Sequence, residues 1–367
     1  MKSAAYVFLF ALTAPLVTPC AAPQAPDTSS AASQASPALP ALPKEPDKII
    51  AAAAPLYDFS SPTLKPWHIK VSYQLYDLDS KPTEQGTFEY WWAAPEVYRS
   101  TWKRGGMERS DWTVNGEYYH VESGGSLGYF ERNLLSDLET PLVAPAKGDP
   151  AKVHFESVKE NLGSVNLPCV RSSYLSSAKL AGRSEFTPAN SNSIYCFDSS
   201  HPVLLAYLQP GGPSVAYRSL QQTQGLILPK EFSVTYRKRS GISATVEALE
   251  LISSDAPEFT PPTPTPAARP DKVEIASGVS AGLLSKFVRP VYPEGDKMLG
   301  NQWVVVIAGV VGTDGKVRDL EVLSGLSKSL NKSAIDAVSQ WQYKPYLLDG
   351  VPVEVETTVD VTFSLNR

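Results

Sequence analysis

Close to the C-terminal end, apolar and polar residues alternate without a gap in phase. Val353, Val355, Val359, Val361, Phe363 and Leu365 take the odd positions, and Glu354, Glu356, Thr358, Asp360, Thr362 and Ser364 take the even ones. A period of two predicts a strand with one dry and one wet face. Thr357, the one polar residue in the apolar series, is β-branched and suits a strand. Upstream, 303–311 is an apolar run, Gly312-Thr313-Asp314-Gly315 is a turn, and 317–323 returns as a second strand. Between this hairpin and the last strand, Leu330, Ala334, Ile335, Ala337, Val338 and Trp341 recur at helical spacing, with Ser329 as N-cap and Pro345 beyond the end. Trp341 and Tyr343 are expected to pack the helix against the hairpin.

The stretch 56–255 follows the shorter period. Strands are predicted at 67–76, 86–92, 96–103, 107–114 and 117–122, and again at 214–220, 233–239 and 245–253, with a short helix at 134–138. Asp77-Leu78-Asp79-Ser80, Ala93-Ala94-Pro95, Gly105-Gly106 and Asn115-Gly116 break the first group, and Asn115-Gly116 is a two-residue hairpin signal. The fold class expected is α+β: an antiparallel β-rich middle domain followed by a small C-terminal domain.

An ordered set of short motifs resembles the TonB C-terminal domain. They are Arg289-Pro290-Val291-Tyr292-Pro293, Gly300 through Val306, Asp314-Gly315-Lys316-Val317, Val322-Leu323-Ser324-Gly325, Ala334-Ile335-Asp336-Ala337-Val338, Gln340-Trp341-Gln342-Tyr343-Lys344-Pro345 and Gly350-Val351-Pro352-Val353. The resemblance implies a periplasmic module of two helices on a three-stranded sheet, which captures an extended peptide of a TonB-dependent outer-membrane receptor along an exposed final strand. Strand addition of this kind satisfies unpaired edge N–H and C=O groups. The partner-binding residues so implied are Val353, Glu354, Val355, Glu356, Thr357, Thr358, Val359, Asp360, Val361, Thr362 and Phe363, with Glu354, Glu356 and Asp360 selecting side chains. Tyr292 and Pro293 are expected to dock the leading segment on the sheet, or else form a simple turn. In the family's transport proteins an N-terminal helix bearing Ser and His couples to ExbB and ExbD. Here no His precedes His68, which leaves that coupling without its motif. A homodimer through the tail's own edges is a further candidate. The middle domain is similar in its meander and inserted helix to the half-barrel of LolA-type lipoprotein carriers.

Composition sets the domain boundaries. Residues 1–20 have a positive start and a short apolar run, the layout of an export signal, and about fifteen apolar residues reach only ~22 Å of a ~30 Å membrane core. Cys20 is a candidate lipidation site, although Pro19 before it fits such processing badly. Residues 21–55 are rich in Ala, Pro and Ser and read as a tether. Residues 256–270 carry Pro-Pro-Thr-Pro-Thr-Pro and read as an extended linker of about 40 Å, with the C-terminal domain at 271–367. The middle domain is expected to add to the reach of these tethers. Cys169 and Cys196, 27 positions apart, read as a disulfide in an exported chain.

Chemistry is sparse. A net charge of −5 gives no field for nucleic acid, and Tyr98 to Arg104, where cations interleave with aromatics, reads as a strand face with cation stems lying over rings. Gly124-Gly125-Ser126-Leu127-Gly128 fits G-x-S-x-G, with Asp137 and His154 or Asp198 and His201 as acid and base. That motif needs a parallel α/β sheet, and these strands are hairpins, so no catalytic residue, cofactor or metal ligand is assigned. Asp77-Leu78-Asp79 reads as a polar turn. Three functions remain: a TonB-like peptide-binding module, a carrier whose Trp67, Tyr73, Tyr90, Trp91, Trp92, Tyr98 and Trp102 line a lipid cavity, and a scaffold. A plain β core is the simpler use of those rings.

Overall fold

The protein is described by a computed structural model at residues 38–139, 141–142, 153–162, 165–174, 193–262, 266, 272–274, 282–299, 302–348 and 350–365. The export-signal segment and Cys20 lie outside these residues. So do residues 263–265 and 267–270 of the linker and residues 21–37 of the tether.

Twelve strands make one antiparallel sheet. The first half is β1 Trp67–Tyr76, β2 Pro82–Ala94, β3 Val97–Arg104, β4 Met107–Val114 and β5 Glu117–Ser123. The second is β6 Val153–Leu162, β7 Val165–Tyr174, β8 Ser193–Phe197, β9 Leu204–Leu208, β10 Pro213–Thr223, β11 Leu226–Tyr236 and β12 Arg239–Leu251. The spatial order is β5-β4-β3-β2-β1-β12-β11-β10-β9-β8-β7-β6, so each half is a meander and the halves join where β1 pairs with β12. The run predicted at 233–239 as one strand is instead the end of β11, a turn with Arg237 and Lys238 at positive φ, and the start of β12.

Helices fill the inner face of this sheet. α2, Tyr129–Glu139, sets Phe130 directly over Gly241 of β12, where any Cβ would lie 2.2 Å from the ring. At its other end the Tyr217 hydroxyl donates to the Asp137 carbonyl at 2.7 Å. α1, Pro46–Ala53, corrects the expected tether boundary at Pro55. Composition alone reads that stretch as unable to fold, but Ile49, Ile50 and Ala53 lie on one helix face and are buried in the main core. The Tyr57 hydroxyl, one short turn later, accepts the Leu204 N–H at 2.7 Å. The rings proposed as a cavity lining pack on each other instead: Tyr73 meets Trp102 edge-on at 6.1 Å between centroids, and Trp67 stacks on Trp92. Trp91 is the exception in direction, since it faces outward.

On the outer face a ladder crosses four strands. His68 stacks on Trp91 at 4.6 Å, and the Arg99 guanidinium sits over Trp91 at 4.6 Å and over Trp112 at 4.9 Å. The Trp112 indole N–H donates to the Glu258 carbonyl at 2.9 Å, and Phe259 is buried, so the first residues assigned to the linker are strapped to the sheet. The disulfide Cys169–Cys196 joins β7 to β8. It belongs to a small apolar cluster with Leu167, Ile194 and Ala206.

The C-terminal sheet has the order β13-β19-β15-β16: β13 Lys272–Glu274, β15 Gln302–Val311, β16 Val317–Ser324 and β19 Val351–Ser364. β18, Tyr346–Leu348, adds a hairpin to β19, and β14, Leu284–Lys286, pairs with β17, Gln342–Tyr343. One α-helix, α3 Lys328–Val338, covers it. Of a second helix the described residues hold only Gly282 and Leu283, and Glu294–Leu299 is a separate 3-10 stretch. The N-cap of α3 is Ser327, whose Oγ accepts the Leu330 N–H at 3.1 Å, and not Ser329, whose hydroxyl is taken by Asp296.

β15 decides how the two sheets meet. Val305, Ile307 and Val311 face α3, Trp341 and Tyr343, while Val304, Val306 and Ala308 join the main core of the twelve-stranded domain together with Leu323. A strand buried on both faces reads as a continuous apolar run, as 303–311 does. Each such side chain removed from water contributes about 1.5–3 kcal/mol. The wet face expected for β19 is therefore only partly wet. Glu356 is 5% exposed and accepts from Arg132 of α2 at 2.6 and 2.8 Å, and Glu321 of β16 caps α2 by accepting the Tyr129 N–H at 2.6 Å. Burial pushes the Glu321 carboxyl up, against the opposing pull of that N–H.

Two outcomes follow. Arg132→Ala would leave Glu356 as an uncompensated buried charge and cost about 3–5 kcal/mol in urea unfolding, whereas Arg132→Met with Glu356→Leu would recover most of the loss. The carboxyl of Glu139, at the end of α2, is pushed up to about 7 by burial and by the neighbouring Asp58. Its favourable contribution is present in full below the unfolded carboxylate pKa and is lost as pH rises through about 7. Glu139→Gln should therefore raise stability at pH 8 by on the order of 2 kcal/mol and leave pH 4 nearly unchanged, as read from thermal midpoints.

Candidate functional site

The residues assigned to peptide binding all lie on β19 or beside it, but the strand is not a bare margin. On one side β15 pairs with it from Gln302↔Ser364 to Val311↔Val355. On the other, β13 pairs in parallel, Lys272↔Glu354, Val273↔Val355 and Glu274↔Glu356. The expectation of a wholly open final strand is corrected at these three positions, which the chain covers itself. Among the described residues no strand pairs with this outer edge over the seven positions Thr358–Ser364.

The faces of this open stretch are unlike. Val355, Val361 and Phe363 are buried toward α3, with Val359 packed beside them, and the Tyr292 ring meets Phe363 edge-on at 5.8 Å. Tyr292 and Pro293 enter the 3-10 stretch, where the Pro293 carbonyl accepts the Asp296 N–H at 3.1 Å. Trp341 donates its indole N–H to the Val288 carbonyl at 2.9 Å and so ties the leading segment to the end of α3. Val353 and Thr357 are buried. The polar face looks toward the twelve-stranded domain. Glu354 is paired with Arg318 of β16 and Glu356 with Arg132, so neither is presented to a partner's side chains as the alternation suggested. Asp360 is 55% exposed and lies 3.4 Å from Arg237 at the tip of the β11–β12 hairpin. The neighbouring Tyr236 hydroxyl, its pKa raised by burial, is hydrogen-bonded to the Thr358 side chain. Arg132, Tyr236 and Arg237 are neighbours of this strand that sequence reasoning missed. The cluster Arg237-Lys238-Arg239 was the available signal.

The other chemical motifs do not assemble. Gly124 is in the left-handed region at φ +76°, and a Cβ there would meet the Gly106 carbonyl at 2.1 Å, so the glycine serves the turn before α2. The Ser126 carbonyl accepts from Arg104 at 3.3 Å. Asp137 is a helix length away, about 16 Å at 1.5 Å per residue, and His154 is on β6, at the opposite margin of the sheet from β5. Asp198 and His201, 3.4 Å apart, shape the β8–β9 turn. Asp77 caps the β1–β2 turn by accepting the Asp79 and Lys81 N–H groups at 2.9 Å. No helix among the described residues is long and apolar enough to cross a membrane.

The chain is similar to known proteins in its C-terminal part and, more distantly, in its middle part. Protein TonB of Vibrio cholerae serotype O1 is 29% identical over 110 residues, which are 30% of this chain and 45% of that protein, so the chain spans less than half of its curated relative. Among solved structures, a DUF1329 family protein from Desulfovibrio piger covers 56% of this chain and 93% of its own at 11% identity and a TM-score of 0.34. A LolA superfamily protein from Nitrosomonas europaea covers 59% and 97% at 10% identity and the same TM-score. The family described as Gram-negative bacterial TonB protein C-terminal matches residues 288–365, and with the β15–β19 sheet, α3 and the Tyr292 contact all inside that span, this part of the chain is a TonB C-terminal domain.

Proposed function

We propose that the protein acts in the cell envelope, in energy-coupled transport across the outer membrane, by taking an extended peptide of a TonB-dependent receptor onto the outer edge of β19. The observation that carries this reading is the pairing on that edge. β13 already sits there as an added parallel strand over three residues, and the next positions, Thr358–Ser364, have no strand partner among the described residues. Each further residue of an incoming strand gains main-chain hydrogen bonds with little demand on its side chains. The apolar alternates Val359, Val361 and Phe363 are held by α3 and Tyr292, which keeps the edge straight and pre-formed. The twelve-stranded domain supports a structural part in this scheme, since its inner face is filled by its own rings, α1 and α2.

Hydrogen exchange of the full chain with and without synthetic ten-residue Ton-box peptides tests the proposal. Binding should slow backbone amides within 358–364 at least several-fold and leave those of β7 and β8 unchanged. Unaltered exchange along β19 with saturating peptide would sink the strand-addition reading.

A further inference from the structure

The seat on β19 is roofed on one side by a cationic hairpin of the other domain. Arg237, Lys238 and Arg239 follow one another in sequence, Arg237 and Lys238 turn the chain at φ +48° and +69°, and both are exposed. Arg237 reaches Asp360 at 3.4 Å with side chains 35% and 55% exposed, a loose pair of the kind worth about 0–1 kcal/mol. The other carboxylates on this face are already engaged: Glu354 by Arg318, Glu356 by Arg132 and Glu321 by the Tyr129 N–H. Asp360 is thus the carboxylate that shares the open stretch with the hairpin, and it only partly neutralises the tip.

A strand added beside Thr358–Ser364 would lie about 4.8 Å from β19, and every second side chain would point to the face that Asp360 and the tip occupy. From these positions we infer that the Arg237–Lys238 tip selects extended peptides carrying Asp or Glu on that alternate row. The inference rests on the strand-addition reading and adds to it the chemical class of the partner. The cations act from a domain outside residues 288–365, so the preference belongs to the full chain.

The test measures binding of the full chain to a labelled ten-residue Ton-box peptide, by fluorescence anisotropy, in two versions: Asp and Glu at alternate positions, or Asn and Gln in their place. The acidic version should bind about tenfold more tightly at low ionic strength, and the ratio should fall toward one in high salt, where the screening length shrinks to about 3 Å at 1 M. Arg237→Glu with Lys238→Glu, both at an exposed turn, should abolish or invert the ratio without moving the thermal midpoint. Asp360→Asn, which frees Arg237, should widen it. An unchanged ratio in both variants, or equal binding of the two peptides to the unaltered chain, would overturn the inference while leaving strand addition intact. If neither peptide binds and exchange in 358–364 is unaltered, strand addition fails and this inference fails with it.

Discussion

β15 has no polar face to give to water. Beyond its exposed first residue it is apolar, its run Val305–Val311 must be covered on both sides, and a single three-turn helix covers one. The second cover comes from the twelve-stranded domain, whose Leu127, Tyr129, Phe130 and Leu134 share one apolar cluster with Val304, Val306, Ala308 and Leu323. Once this contact is made, the carboxylates beside it must also be resolved, since an ionised group taken from water without a partner is expensive. Arg132 and the first N–H of α2 meet that demand, and α2 in turn is fixed by Phe130 against the glycine of β12. The two sheets are coupled through a helix that belongs to the first and is capped by the second.

This coupling shapes the final strand. The face of β19 that would be solvated in an isolated tail is shared between buried ion pairs near Glu356 and a loosely held aspartate near the basic hairpin. The opposite face is locked by α3. Among the described residues, the outer edge of β19 has no strand partner beyond the three positions that β13 takes. Recognition at such a margin depends on main-chain geometry first and on the charge of whatever overhangs it second.

Much of this was legible from residues alone. The alternation of 353–365 gave a strand in the right register, Asn115-Gly116 and Asp314-Gly315 gave their turns, and the strands of the first meander fell within a few residues of their bounds. The disulfide also followed from export and spacing. Other features were hidden for physical reasons. α1 was masked by an Ala- and Pro-rich background in which two isoleucines carry the burial. Ser329 looked like a cap because the periodic series begins beside it, yet Ser327 has the extended backbone that the cap needs. β6 to β9 lack clean alternation, since they are partly buried on both faces around the disulfide. The burial of Glu356 could not be read at all: a glutamate on the even phase of a strand looks solvated until a distant arginine is seen beneath it.

The junction of β1 with β12 bears on how far the polypeptide can stretch. Pro66 and Ile252 are joined by a hydrogen bond of 3.0 Å, so the whole excursion through the twelve strands begins and ends at one spot. A path traced end to end gains almost nothing from that detour, contrary to the extra reach the sequence suggested, and the strap at Glu258 and Phe259 folds the exit back across the sheet. Pulled from both ends, the polypeptide would therefore meet the large domain at a single pair of adjacent strands, β1 and β12, and would load that junction before any other.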